Sequence, residues 1–202
     1  MKTSVPSLPQ SGDPLAHRIL QEWRSQDGDL WVFGYGSLIW RPDLPYSESR
    51  RATVHGWHRA LQMWSHVNRG TAQCPGLVFA LLPGGSCQGV AFRVPAALVP
   101  EVFPPLWQRE MPQPIYDPRW LRCRTAHGTV QALAFTLSRS HPACTGMLPD
   151  AEYRRIFQTA RGIYGSTRDY AEATLRELHR LGIRDRALER IVGAARAGTI
   201  AP

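Results

Sequence analysis

The spacing of apolar residues changes several times along the chain, and each change predicts an element. Leu15, Ile19, Leu20 and Trp23 fall at helical spacing and predict a short helix over residues 15–24. Leu30-Trp31-Val32-Phe33 is a compact run of strand-forming residues ending at Gly34, which predicts a buried strand opening into a glycine loop. Ala52 to Ser65 is aromatic-rich and extended. Leu77–Leu82 and Gly89–Val94 flank the turn signal Pro83-Gly84-Gly85-Ser86 and predict a hairpin. Trp120–Arg124 and Thr129–Leu137, either side of Ala126-His127-Gly128, predict a second. Between the two, Pro95 to Met111 tends to helix, but Pro100, Pro104 and Pro105 limit it to short helical pieces.

From Asp150 onward the period is helical. Asp150 is an N-cap candidate ahead of Tyr153, Ile156, Phe157 and Ala160. A second helix carries Ala171, Leu175 and Leu178 and stops at Gly182, and a third carries Leu188, Ile191, Val192 and Ala195. Strands first and helices last predict an α+β fold, with helices covering one side of a curled antiparallel sheet. Residues 30–202 read as a single domain. Residues 1–29 read as an N-terminal tail that starts Pro/Ser-rich and poorly ordered and includes the short helix.

Composition narrows the function classes. The chain has 202 residues and a formal net charge of +8, and nearly all its basic residues are arginines spread along the sequence. No basic run with interleaved aromatics marks a nucleic-acid groove, so no nucleic-acid partner is expected. No stretch reaches the ~18 apolar residues of a membrane span, and the first residues lack the apolar core of a secretory signal. A cytoplasmic location without membrane attachment is the expectation. Cys74, Cys87, Cys123 and Cys144 form no C-x-x-C pair. With His55, His58 and His66 they match no common zinc spacing, so no metal is expected and the thiols read as free.

Two segments carry candidate chemistry. In Gly34-Tyr35-Gly36-Ser37-Leu38-Ile39-Trp40, two closely spaced glycines after a strand let backbone N–H groups converge on one point. Such a nest holds a carboxylate or an oxyanion, although a tight turn accounts for the same glycines. The segment lacks the third glycine of a dinucleotide fingerprint and is not G-x-S-x-G. In Leu106-Trp107-Gln108-Arg109-Glu110-Met111, a carboxylate sits among apolar neighbours. An apolar site would raise its pKa and make it a better base, while a structural ion pair with an arginine explains it equally well.

Together the segments resemble the ChaC family of γ-glutamylcyclotransferases. The matching residues are Val32-Phe33-Gly34-Tyr35-Gly36-Ser37-Leu38-Ile39-Trp40 with Pro42, then Ser65, Arg69-Gly70 and Pro75-Gly76. Gly89-Val90-Ala91-Phe92-Arg93-Val94-Pro95 follows, then Arg109-Glu110-Met111, Tyr116 and His141-Pro142. The similarity runs from about Trp31 to Ala197. It departs at Gly165-Ser166-Thr167-Arg168-Asp169-Tyr170, where Thr167 stands in place of a common asparagine and Tyr170 is kept.

The resemblance implies a γ-glutamylcyclotransferase-like fold, a small barrel packed by C-terminal helices, with no cofactor. It implies cleavage of the small molecule glutathione to 5-oxoproline and cysteinylglycine. Glu110 is then the catalytic base. Gly34, Tyr35, Gly36, Ser37, Leu38 and Ile39 form the substrate loop, with Tyr116 and Tyr170 as hydroxyl contacts. A cyclotransferase for other γ-glutamyl amino acids or amines, and a non-catalytic γ-glutamyl-binding module, fit the same residues. The oligomeric state has no sequence signature here.

Overall fold

The computed structural model describes residues 12–26 and 28–196. The Pro/Ser-rich start of the expected tail, residues 1–11, lies outside the described residues. In chain order the elements are α1 (Pro14–Arg24), β1 (Leu30–Gly34), a 3-10 turn (Ser37–Ile39), β2 (Glu48–Ser65) and β3 (Gly76–Val94). Then come α2 (Val99–Glu110), β4 (Asp117–Thr125), β5 (Gly128–Thr136) and α3 (Asp150–Thr159). A two-residue hairpin pair follows, β6 (Arg161–Gly162) with β7 (Gly165–Ser166), before α4 (Thr167–Arg180) and α5 (Arg186–Arg196).

The five long strands close into a barrel in the order β1-β3-β2-β4-β5. Most pairs are antiparallel, as expected, but the ring is closed by a parallel pairing of β1 with β5, Trp31 opposite Ala132 and Val32 opposite Leu133. Paired on both edges, β1 buries Leu30, Val32 and Phe33, which is why its sequence is an apolar run and not an alternation. The three C-terminal helices pack on one another, with α4 against β3 and the 3-10 turn and α5 against β2. The architecture is α+β.

Two expectations are corrected. Pro83–Ser86 is not a hairpin turn: β3 runs unbroken for 19 residues beside the 18-residue β2. His55 faces Ser86 and Trp57 faces Pro83, with a register shift between them. Gly56, Gly84 and Gly85 all take positive φ there. The glycines therefore coil both strands together at an irregularity, while each half of β3 keeps β2 as its partner.

The proline-rich segment, likewise, is not broken into pieces. It forms one 12-residue helix, α2, after a short 3-10 turn at Ala96–Leu98. Pro100 lies in the first turn, where N–H groups lack partners anyway. Pro104 and Pro105 forgo ladder bonds inside the helix, and burial of Val99, Val102, Phe103, Leu106 and Trp107 along one face offsets that loss. Asp150 is the first residue of α3, one place after its cap Pro149, and its carboxylate meets Arg190 at 2.7 Å. The second hairpin and the other two C-terminal helices lie where the pattern placed them.

Candidate active site

The site forms where β1 ends. Gly34 is still paired with Val90 in the barrel wall. The chain then bends through Tyr35 and Gly36 into the 3-10 turn, with Ile39 N–H donating to Gly36 O at 3.0 Å. Leu38 and Ile39 point into the core, at 4% and 6% exposure, and anchor the turn through their side chains. The N–H groups of Gly36, Ser37 and Leu38 meet no backbone acceptor among the described residues. A Cβ on Gly36 would lie 3.0 Å from the Tyr170 hydroxyl, so glycine lets the bend and that hydroxyl approach.

Glu110, the last residue of α2, is brought to this bend by its neighbour. Arg109 Nε contacts Glu110 Oε1 at 3.1 Å, and Arg109 Nη2 donates to Ser37 Oγ at 3.1 Å. The same guanidinium donates to Pro42 O at 3.0 Å and reaches Asp43 Oδ2 at 3.2 Å. One arginine thus ties the carboxylate to the loop after β1. The Glu110 side chain keeps 16% of its surface open. Burial pushes its pKa above the usual carboxylate range, and Arg109 opposes part of that rise.

Three tyrosines lie near enough to the carboxylate for its charge to bear on their hydroxyls. Their placement follows from an irregularity in the barrel wall: Ala60 faces Ala80 and Met63 faces Val78, which leaves Phe79 out of register. Tyr170 in the first turn of α4 takes the Phe79 N–H on its hydroxyl at 3.3 Å, and Tyr116 donates to Phe79 O at 3.3 Å. Tyr35 reaches across the barrel to donate to Phe135 O at 2.7 Å. Burial raises all three hydroxyl pKa values, Tyr170 to about 12, and the negative charge of Glu110 adds to each rise. All three are therefore neutral hydrogen-bonding groups at ordinary pH, and Tyr170, which accepts from Phe79, still has its own proton to donate.

Arg69 stacks its guanidinium over the Tyr170 ring at 4.8 Å and donates to Tyr164 O. Thr167 is fully buried, accepts from Leu77 N–H at 2.9 Å and donates to Arg69 O at 3.3 Å. Its hydroxyl pins the Arg69 segment to β3 and does not turn into the site. Among the described residues, no helix is long and apolar enough to cross a membrane. Two surface clefts lie elsewhere, about 440 Å³ beside Ala160 and Asp169 and about 640 Å³ between Trp57 and Trp120, and neither contains Glu110.

The sequence matches the family model described as ChaC-like protein over residues 30–197, which takes in the bend, Glu110 and all three tyrosines. The chain belongs to the ChaC-like family. Among similar proteins, the glutathione-specific γ-glutamylcyclotransferase of Escherichia coli K12 is 36% identical over 166 residues, 82% of this chain and 72% of that protein. The human glutathione-specific γ-glutamylcyclotransferase 1 is 32% identical over 175 residues, 83% of this chain and 77% of that one. The crystal structure of a yeast γ-glutamyl cyclotransferase specific to glutathione superposes with a TM-score of 0.75 at 20% identity, covering 85% of this chain and 97% of that chain. That superposition extends the family assignment to the fold.

Sequence reasoning passed over two groups at this site. Arg109 stood in the quoted Arg-Glu-Met match without a role, although an arginine directly before the candidate base was a usable signal. Nothing in the sequence marks Arg59, which lies on β2 and donates to Tyr35 O, because one charge within a strand does not announce burial.

Proposed function

We propose that this protein is a γ-glutamylcyclotransferase that cuts glutathione into 5-oxoproline and cysteinylglycine. The observation that carries the reading is the pairing of a half-buried, pKa-raised Glu110 with the bend after β1 through Arg109. Glutathione as substrate follows the activity named for the bacterial and human relatives.

The reaction needs a base, because the substrate's α-nitrogen enters as an ammonium and attacks as an amine. Glu110 takes the first proton, and the freed lone pair attacks the γ-carbonyl carbon and closes the five-membered ring. The carbonyl oxygen becomes an oxyanion, and the Gly36, Ser37 and Leu38 N–H groups are the donors at hand. The bond from the γ-carbon to the cysteinyl nitrogen then breaks. Two protons leave the α-nitrogen in all and two arrive on the departing nitrogen, so Glu110 ends as it began, ionised. Tyr116 and Tyr170 offer neutral hydroxyls to hold the glutamyl end curled toward the bend. The nucleophile belongs to the substrate, and none of the four free cysteines is required. Free thiols also suit a reducing compartment, and we place the reaction in the cytoplasm.

The test is mass detection of 5-oxoproline and cysteinylglycine after glutathione is added to pure protein, with Glu110→Gln as control. Product from the unmutated protein and a loss of at least a hundredfold in the variant is the expected outcome. Equal turnover by the two would remove Glu110 from its role. Product from γ-glutamyl-alanine but not from glutathione would move the substrate.

A further inference from the structure

The barrel wall buries one charge for which the reaction above has no use. Arg59 lies on β2 with its side chain 3% exposed. Its guanidinium forks to three acceptors: Nε donates to Tyr35 O at 2.5 Å, Nη1 to Asp185 Oδ2 at 2.6 Å, and Nη2 to Gln88 O on β3. Asp185 in turn starts α5, its Oδ1 accepting from Leu188 N–H at 3.0 Å and its carbonyl from Glu189 N–H at 2.9 Å. Burying an ion pair is a poor way to gain stability, since apolar residues of similar volume often hold a wall as well or better. The acceptors therefore matter more than the charge. One of them, Tyr35 O, belongs to the bend.

A trans peptide points its carbonyl and the following N–H in opposite directions. The Tyr35–Gly36 peptide is trans. Holding Tyr35 O against Arg59 thus aims Gly36 N–H away from the wall. A charge-assisted bond to the carbonyl also draws electron density through the amide and leaves its N–H a stronger donor. The Tyr35 ring is fixed separately by its bond to Phe135 O, so the peptide plane is clamped from two sides.

We propose that Arg59 is a positioning residue for the cyclisation: it orients and polarises the Tyr35–Gly36 peptide so that Gly36 N–H receives the developing oxyanion. This rests on the reading of the bend as the place where the γ-carbonyl oxygen gathers charge. The competing role is a clamp between α5 and the barrel, which would work through Asp185 alone.

Two variants separate these roles. Asp185→Asn keeps an acceptor and a cap but removes the charge; it lowers Tm and leaves kcat of the folded protein within about threefold. Arg59→Lys keeps the charge facing Asp185 but cannot fork to three acceptors. In the folded fraction its kcat falls about a hundredfold, the scale of one lost oxyanion donor, while KM stays within about threefold. Arg59→Lys with no greater loss of kcat than Asp185→Asn overturns the proposal. If the lysine variant does not fold, the unmutated protein labelled with 15N-glycine answers the question. Titration with 5-oxoproline shifts the Gly36 amide resonance, and a Gly36 resonance that stays in place overturns the proposal. Absence of any glutathione turnover in the unmutated protein would instead overturn the wider reading.

Discussion

At Glu110, two influences of opposite sign act on one carboxyl. Burial raises its pKa, and the Arg109 guanidinium lowers it, with burial the larger. A base must be ionised to act, so activity falls as pH drops through that raised value. The acid limb of kcat/KM is therefore expected above the ordinary carboxylate range. Arg109→Met removes the opposing influence, and the limb is expected to move to higher pH, read from the pH profile of 5-oxoproline release. A limb that stays in place would show that Arg109 serves only to hold the loop after β1. The Val32–Trp40 block was readable without coordinates because a strand running into a glycine bend is a local event. Its shape depends on residues within a few positions of one another.

Between elements, sequence signals were weaker, for a physical reason. Pro83-Gly84-Gly85-Ser86 has the chemistry of a turn, and the glycines do adopt positive φ, yet the partner of each half-strand is β2. Partner choice depends on residues far away in sequence, so local propensity could not supply it. In α2, likewise, three prolines argue for fragments, and a buried apolar face prevails. The convergence of Tyr116 and Tyr170 on the two backbone groups of Phe79 was hidden for the same reason, since the irregularity exists only once β2 and β3 pair. Tyr170→Phe leaves the buried Phe79 N–H without its acceptor. A loss of about 1–3 kcal/mol is expected, measured by denaturant unfolding, together with weaker substrate binding. An unchanged midpoint would mean that another acceptor serves that N–H.

Across the whole molecule, α1 shares the core that surrounds the site, although it lies outside the segment matched by the family model. Ala16, Ile19, Leu20 and Trp23 are buried, and Asp13 accepts from the Trp107 indole N–H at 2.8 Å, against the helix that ends in Glu110. Trp23→Ala is expected to cost about 3–5 kcal/mol. By the usual entropy of a chain of this size, Tm would fall by about 10 °C. A scanning calorimetry trace that does not move would show that α1 rests on the core without supporting it.

The parallel closure of β1 on β5 also bears on how the molecule comes into being. Trp31 and Val32 must wait for Ala132 and Leu133, about a hundred residues further along, before the ring can shut. Contacts so distant in sequence form late, because the intervening loop must first be ordered. The bend issues directly from β1, so the proposed oxyanion donors reach their final place against the rest of the site only once β1 is held on both edges. Chains halted before the ring shuts are therefore expected to release no 5-oxoproline, which a refolding time course sampled for product would check.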